Sequence, residues 1–305
     1  MPPVRRPILD PATRERIRVA VAREAARPVP PEVRALVDAL RTRFGRSFVA
    51  ALYYGSCRRQ AEPEGILDLH VLVTDLGAAL SPAQGVLAWL LPPNVYYLEV
   101  ALGDTTVRCK YAVLSLRQFR HGCSRAAFHS YFWGRYAQPL TLVGAADPAP
   151  LVHTLVDAVE TLAWRAWPRL GGAADAHEYW VGALRLSYRA ELRPERVDRP
   201  RELVAADPDY YQATGDALLA AQDALPDRQG LARLDWAARS AWGKLASLLR
   251  LIKGLATFDG GVDYLAWKLE RHSGQPVEIS SRARRWPLLF VWPVVWRHWR
   301  RGTFR

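Results

Sequence analysis

The chain has 305 residues, 50% hydrophobic and 24% charged, which is enough apolar material for a large packed core and excludes a disordered chain. Its formal charge of +12 points to an anionic partner, whether phosphate, nucleic acid or acidic lipid, and says nothing about fold. Three cysteines, Cys57, Cys109 and Cys123, have no metal-ligand spacing. They exclude a disulfide framework and are read as reduced thiols in a cytosolic compartment.

The N-terminus, MPPVRRPILDPATRERIR, has no apolar core of the secretory kind. From Pro11 to Ser47 charged helical stretches alternate with a break at Pro28, Pro30 and Pro31. Within this region Val33, Leu36, Val37, Leu40 and Phe44 recur at helical spacing, which predicts an amphipathic helix over Pro31–Phe44. Phe48–Tyr54 is a short apolar run that stops at Gly55, and Ile66–Val73 is a second one with Asp68 and His70 on one face. Both read as strands. A helix is expected over Ser81–Leu91. Strands are expected over Asn94–Leu102 and Thr106–Ser115, joined by the Gly103-Asp104 hairpin turn. Gly144–Pro150 breaks the pattern. Beyond it helical periodicity runs over Leu151–Trp167, Ala176–Leu192, Pro208–Ala224 and Gly230–Lys253. No run of about eighteen apolar residues occurs, so no helix is expected to cross a bilayer.

The chemistry concentrates around Tyr54-Gly55-Ser56, which ends one strand, and Asp68, thirteen residues after Gly55 in the next. Gly55 lets a phosphate approach the backbone without a Cβ in the way. Ser56 and the following amides, taken as a helix start, can bind phosphate oxygens. A carboxylate inside an apolar strand is costly unless it is paired or metal-bound, and Asp68 can hold Mg²⁺, a hard ion that favours oxygen ligands. The plainer reading is a turn beside a surface acid.

Strand, Gly-Ser turn and returning acidic strand resemble polymerase-β-type nucleotidyltransferases. Those enzymes usually carry a second carboxylate two residues on, where this chain has His70. A wider resemblance is to the mitochondrial-type phosphatidate cytidylyltransferases, the translocator assembly and maintenance protein family. That family's Tyr-Gly-Ser-Gly and following Gln are matched by Tyr54, Gly55, Ser56 and Gln60, with Cys57 for the second Gly. Its single-Asp strand is matched by Asp68, and its Val-Tyr-aromatic strand by Val95, Tyr96 and Tyr97. Its Lys-Tyr strand is matched by Lys110, Tyr111, Val113 and Ser115. Tyr131, Gly134, Arg135 and Pro139 match its next segment, with Trp133 and Gln138 departing from it. Leu186, Ser187, Tyr188, Glu191 and Arg193 match a last one, with Ala190 for Gly and Glu191 for Asp.

The resemblance implies an α+β architecture. A polymerase-β-like nucleotidyltransferase domain over residues 1–145 would be followed by a helical domain over 146–280. It implies an enzyme that joins CTP and phosphatidic acid into CDP-diacylglycerol with Mg²⁺. Asp68, Lys110 and Glu191 would be catalytic, with Asp68 and Glu191 on the metal. Tyr54, Gly55, Ser56, Gln60, Gly134, Arg135 and Arg193 would hold the nucleotide. Read without the family, Lys110 is also what guards an edge strand, Arg135 a solvated arginine at a turn, and Glu191 with Arg193 a surface ion pair. His70 reads as an ordinary strand histidine rather than a ligand.

The last 25 residues, 281–305, hold seven Arg and no acid, with Trp286, Trp292, Trp296 and Trp299 among aliphatic neighbours. Aromatics beside arginines suit the headgroup layer of an anionic bilayer, and a tail packed on its own domain is the alternative. The expectation is a cytoplasmic protein peripheral on the inner membrane face, with nucleic acid not expected as its partner. The rival functions are nucleotidyl transfer to RNA or another phosphorylated acceptor, and a non-catalytic nucleotide- or lipid-binding membrane adaptor.

Overall fold

The computed structural model describes residues 8–59, 65–191, 198–226 and 229–257. In chain order the elements are α1 (Pro11–Ala25), α2 (Pro31–Phe44), β1 (Phe48–Tyr54), β2 (Ile66–Val73), α3 (Leu76–Ala79), α4 (Pro82–Leu90), β3 (Asn94–Leu102) and β4 (Thr105–Ser115). There follow α5 (Leu116–Cys123), α6 (Ser130–Tyr136), β5 (Thr141–Val143), α7 (Ala149–Leu170), α8 (Ala176–Arg189), α9 (Arg199–Ala206), α10 (Pro208–Ala220) and α11 (Gln229–Thr257). The fold is mixed α+β, with one five-stranded sheet in the order β3-β4-β2-β1-β5. β2 and β4 run parallel, and the other neighbours are antiparallel.

The period-2 pattern of the strands gives the sheet two different faces. One carries Ala51, Tyr53, Leu69, Val71, Tyr111 and Val113, and buries them under the apolar stripe of α2, Val33 to Phe44. The other carries Ala50, Leu52, Leu72 and Leu114, and buries them in a second cluster with α5, α6 and α7. That cluster continues into α8 and α10 without stopping at the Gly144–Pro150 break. α1 belongs to it too: Ile17, Ala20 and Val21 are buried there, and Arg14 bonds Asp157 at 2.8 Å and also Glu160 on α7. The first helix of the chain therefore packs with its last third.

Several boundaries differ from the sequence expectation. α7 continues to Leu170 through Pro168, which has no N–H to give the carbonyl four residues back. α8 stops at Arg189, where the Ala190 amide turns back onto Leu186 and Ser187. α10 ends at Ala220 and gives way to a 3-10 turn over Gln222–Ala224. The 281–305 tail lies outside the described residues.

Candidate active site

Register aligns the candidate residues in one row. Tyr54 on β1 faces Asp68 on β2, Asp68 faces Lys110 on β4, and Lys110 faces Tyr97 on β3. Residues opposite one another in a sheet project to the same face, so the carboxylate has an aromatic ring on one flank and an ammonium on the other. Gly55 follows at φ +91°, in the left-handed region that favours glycine. A Cβ built on it would lie 2.9 Å from Asp68 Oδ2. The Asp68 carboxylate therefore rests directly over the glycine, and its oxygens make no hydrogen bond among the described residues. Burial pushes the Asp68 carboxyl above its ordinary range, against the pull of Lys110 and Arg135.

After Ser56 the chain enters a 3-10 turn over Cys57–Arg59, at the place where a helix start was expected, and the described residues stop there. Arg58 anchors this turn. Its buried guanidinium donates to Thr141 Oγ1 at 3.1 Å and Asp207 Oδ1 at 3.2 Å, and also bonds Glu24. These partners from three distant elements fasten the turn beneath the Gly-Ser pair. Gln60 falls outside the described residues.

One rung deeper stands His70, fully buried. Tyr54 Oη lies 3.2 Å from its Nε2 and Tyr136 Oη 2.9 Å from its Nδ1. Burial, then the charges of Arg135 and Lys110, push its pKa well below the ordinary value, so it is neutral. A neutral imidazole with both nitrogens engaged is a strut that orients Tyr54 and Tyr136.

Arg135 does not sit at a turn. It and Gly134 lie within α6, whose first turn is capped by His129 Nδ1 accepting from the Tyr131 amide at 2.8 Å. A Cβ on Gly134 would overlap Ser187 Oγ on α8, so the glycine serves the close approach of two helices. Arg135 lies over Tyr54 on β1, 5.3 Å from Cζ to ring centroid, and over Tyr131 one turn back on its own helix, at 5.0 Å. The guanidinium acts electrostatically on Asp68 from this position.

Glu191 lies two residues past α8. It is buried rather than a surface residue. The charges acting on Asp68 are those of Lys110 and Arg135, whereas Glu191 acts on Arg135 and Arg250. Glu191 thus stands with the arginines. Arg193 lies outside the described residues. The structure places Asp68, Lys110, Arg135, Tyr54, Gly55 and Ser56 near one another.

Arg250 was missed entirely. It reaches the cluster from α11, with Cζ 4.3 Å from the Tyr131 ring centroid and Nε donating to Pro92 O at 2.8 Å. No local sequence signal marks it, because its bond to Pro92 spans 158 residues.

Among the described residues no three His, Cys, Asp or Glu side chains gather into a metal cage. Mg²⁺ in nucleotide enzymes is commonly held by one or two carboxylates together with substrate phosphates. A single unbonded carboxylate over a glycine is compatible with that mode. A separate cleft of about 580 Å³, lined by Asp75, Gly85, Val86, Trp89 and Arg117 among others, lies at the far end of β2 and β4. It contains none of these groups.

No protein-family model matches the chain, and no curated protein matches it.

Proposed function

We propose that the protein is a magnesium-dependent nucleotidyltransferase of the polymerase-β type that works at a membrane surface. It transfers the cytidylyl group of CTP to phosphatidic acid, giving CDP-diacylglycerol and pyrophosphate. One observation carries the reading: the Asp68 carboxylate sits over Gly55 with Lys110 in register beside it. Glycine leaves room for phosphate, the carboxylate fits a hard cation, and the ammonium fits phosphate oxygens.

In this reading Gly55, Ser56 and the Cys57–Arg59 turn receive the triphosphate, while Lys110 and Arg135 neutralise it. A bound Mg²⁺ would supply further charge neutralisation next to Asp68. The acceptor's phosphate oxygen forms a bond to the α-phosphorus of CTP as the bond to the β-phosphate oxygen breaks, and pyrophosphate leaves. A phosphomonoester has a second pKa of about 6, so the nucleophile is already ionised near neutral pH and no general base is required. The work left to the protein is positioning and electrostatics.

Exposed apolar side chains support the membrane part. Trp89 and Leu90 on α4 and Trp242, Leu245, Leu248 and Leu249 on α11 face solvent, and the chain as a whole carries +12. Apolar surface and positive charge together favour an anionic bilayer. No helix among the described residues is long and apolar enough to cross a membrane.

The test is direct. The 305-residue protein is incubated with Mg²⁺, each labelled nucleoside triphosphate in turn, and phosphatidic acid vesicles. A nucleotide-bearing lipid is expected from CTP, at a rate reduced in Lys110→Ala and Arg135→Ala. Absence of such a lipid with every triphosphate would overturn the proposal.

A further inference from the structure

Among the described residues, several buried donors around Tyr131 lack an acceptor. Arg135 and Arg250 both lie over its ring, at 5.0 and 4.3 Å, and the His129 ring centroid is 6.0 Å away. His129 Nδ1 accepts from the Tyr131 amide, so the proton of the neutral imidazole is on Nε2. Three buried nitrogens then have no hydrogen-bond partner among the described residues: Arg250 Nη1, Arg135 Nε and His129 Nε2. Buried donors left unmet are costly, more so when they are charged. Among the described residues, Glu191 is an acid within electrostatic reach of both arginines. Two guanidiniums and an imidazole N–H about one aromatic ring are what an oxyanion satisfies.

The position of Arg250 is fixed. Its Nε is spent on Pro92 O at 2.8 Å. One turn further along α11, Lys253 Nζ donates to Pro93 O at 2.8 Å and to Leu91 O. These bonds clamp the end of α11 to the loop after α4, so the remaining face of the Arg250 fork is held toward Arg135 and Tyr131. Exposed Leu248 and Leu249 immediately precede Arg250, and exposed Leu90 precedes the clamping loop. An apolar margin therefore adjoins the cationic cluster.

The geometry points to a second anion site, formed by Arg250, Arg135 and His129 around Tyr131, that takes the phosphate dianion of the acceptor. It rests on the acceptor being a phosphomonoester, as proposed above. Arg135 is shared, because it acts on Asp68 as well as standing beside Arg250. Arg135 lies over both Tyr54, which faces Asp68, and Tyr131, whereas Arg250 lies over Tyr131. The second anion thus lies across Arg135 from the carboxylate, next to the nucleotide phosphates without coinciding with them. The apolar margin selects a phosphomonoester attached to acyl chains over a free one.

Binding to the 305-residue protein is measured by calorimetry, without turnover, for four probes: short-chain phosphatidic acid, glycerol 3-phosphate, inorganic phosphate and short-chain diacylglycerol. The three phosphates are expected to bind, phosphatidic acid most tightly, and diacylglycerol not at all. Arg250→Gln keeps an amide donor for Pro92 O but removes the charge. It is expected to weaken all three phosphates by about tenfold or more, the scale of a lost charge-assisted hydrogen bond, with CTP affinity unchanged. Equal binding of phosphatidic acid and glycerol 3-phosphate would leave a phosphate site and refute lipid selection.

Unchanged phosphate binding in Arg250→Gln, a parallel loss of CTP binding, or no phosphate binding by the wild type would each overturn the inference. Should the variant fail to fold, phenylglyoxal labelling of the wild type replaces it. Inorganic phosphate is then expected to protect Arg250, and equal labelling with and without phosphate refutes the site. Phosphate binding that depends on Arg250, in a protein that never turns over CTP, would sink the proposed reaction and leave this site standing.

Discussion

Gly55→Ala tests the site where backbone and carboxylate meet. Two costs follow from the geometry. At φ +91° an alanine adopts a backbone conformation that costs about 1–3 kcal/mol. Its lower entropy in the unfolded chain returns about 0.4–1 kcal/mol of that. The new Cβ would also lie 2.9 Å from Asp68 Oδ2 and 3.4 Å from Asp68 Cβ. The carboxylate oxygen can swing aside and the Cβ cannot move far, so the contact displaces the carboxylate rather than unfolding the strand. A net loss of about 1–2 kcal/mol in urea unfolding is expected. Turnover should fall much further, by about a hundredfold, because a shift of about 1 Å at a reacting centre costs that much. Asp68→Ala removes the oxygen that the new methyl meets. In that background Gly55→Ala should cost less than in the wild type, leaving the backbone strain alone. A four-protein cycle measures the difference. Strict additivity, or a Gly55→Ala protein as stable and active as the wild type, would show that the carboxylate does not rest on Gly55.

Asp68→Asn should separate stability from activity. Burial holds the Asp68 carboxyl above its ordinary value, so its contribution favours the folded state most at low pH and is lost as pH rises through the folded pKa. The asparagine variant escapes that loss. It should be the more stable protein at neutral pH, converge with the wild type below about pH 4, and be inactive; a variant less stable at neutral pH than in acid, relative to wild type, would contradict the sign. Gly134→Ala should destabilise by about 1–3 kcal/mol through overpacking of α6 on α8. Ser187→Ala should recover part of this, not all, since the new Cβ would still lie 3.0 Å from Ser187 Cβ; urea unfolding with no coupling between the two positions would rule out the contact.

What the sequence revealed and what it concealed follow the range of the interactions. The strands were legible because a half-buried sheet imposes period 2, and Asp68 and His70 fall on one face for that reason alone. α2 was legible because its five apolar residues form one stripe. Gly134 was misread because a glycine before an arginine looks like a turn, while the constraint on it comes from Ser187, fifty-three residues away. No local pattern marks Arg58, which Glu24 and Asp207 hold from 34 and 149 residues away. Arg250 joins the site only because α11 docks on the loop after α4. Contacts of that length leave no local period or motif for a single sequence to display.

His70 explains how the row differs from a two-carboxylate site. An acid at that position would be fully buried, between two tyrosine hydroxyls and one rung from Asp68. Two carboxylates so close raise each other's pKa and compete for the same cations. The neutral imidazole avoids this and spends its nitrogens on positioning Tyr54, whose ring in turn faces Arg135 at 5.3 Å. The outcome is a site with Asp68 and Glu191 set against Lys110, Arg135 and Arg250. In the proposed reaction both partners are anions, a triphosphate and a phosphate dianion, and their mutual repulsion is the principal barrier to approach. A cation-rich site that holds one anion on each side of Arg135 lowers that barrier in the ground state of approach and in the transition state alike. A further buried carboxylate at position 70 would raise it again.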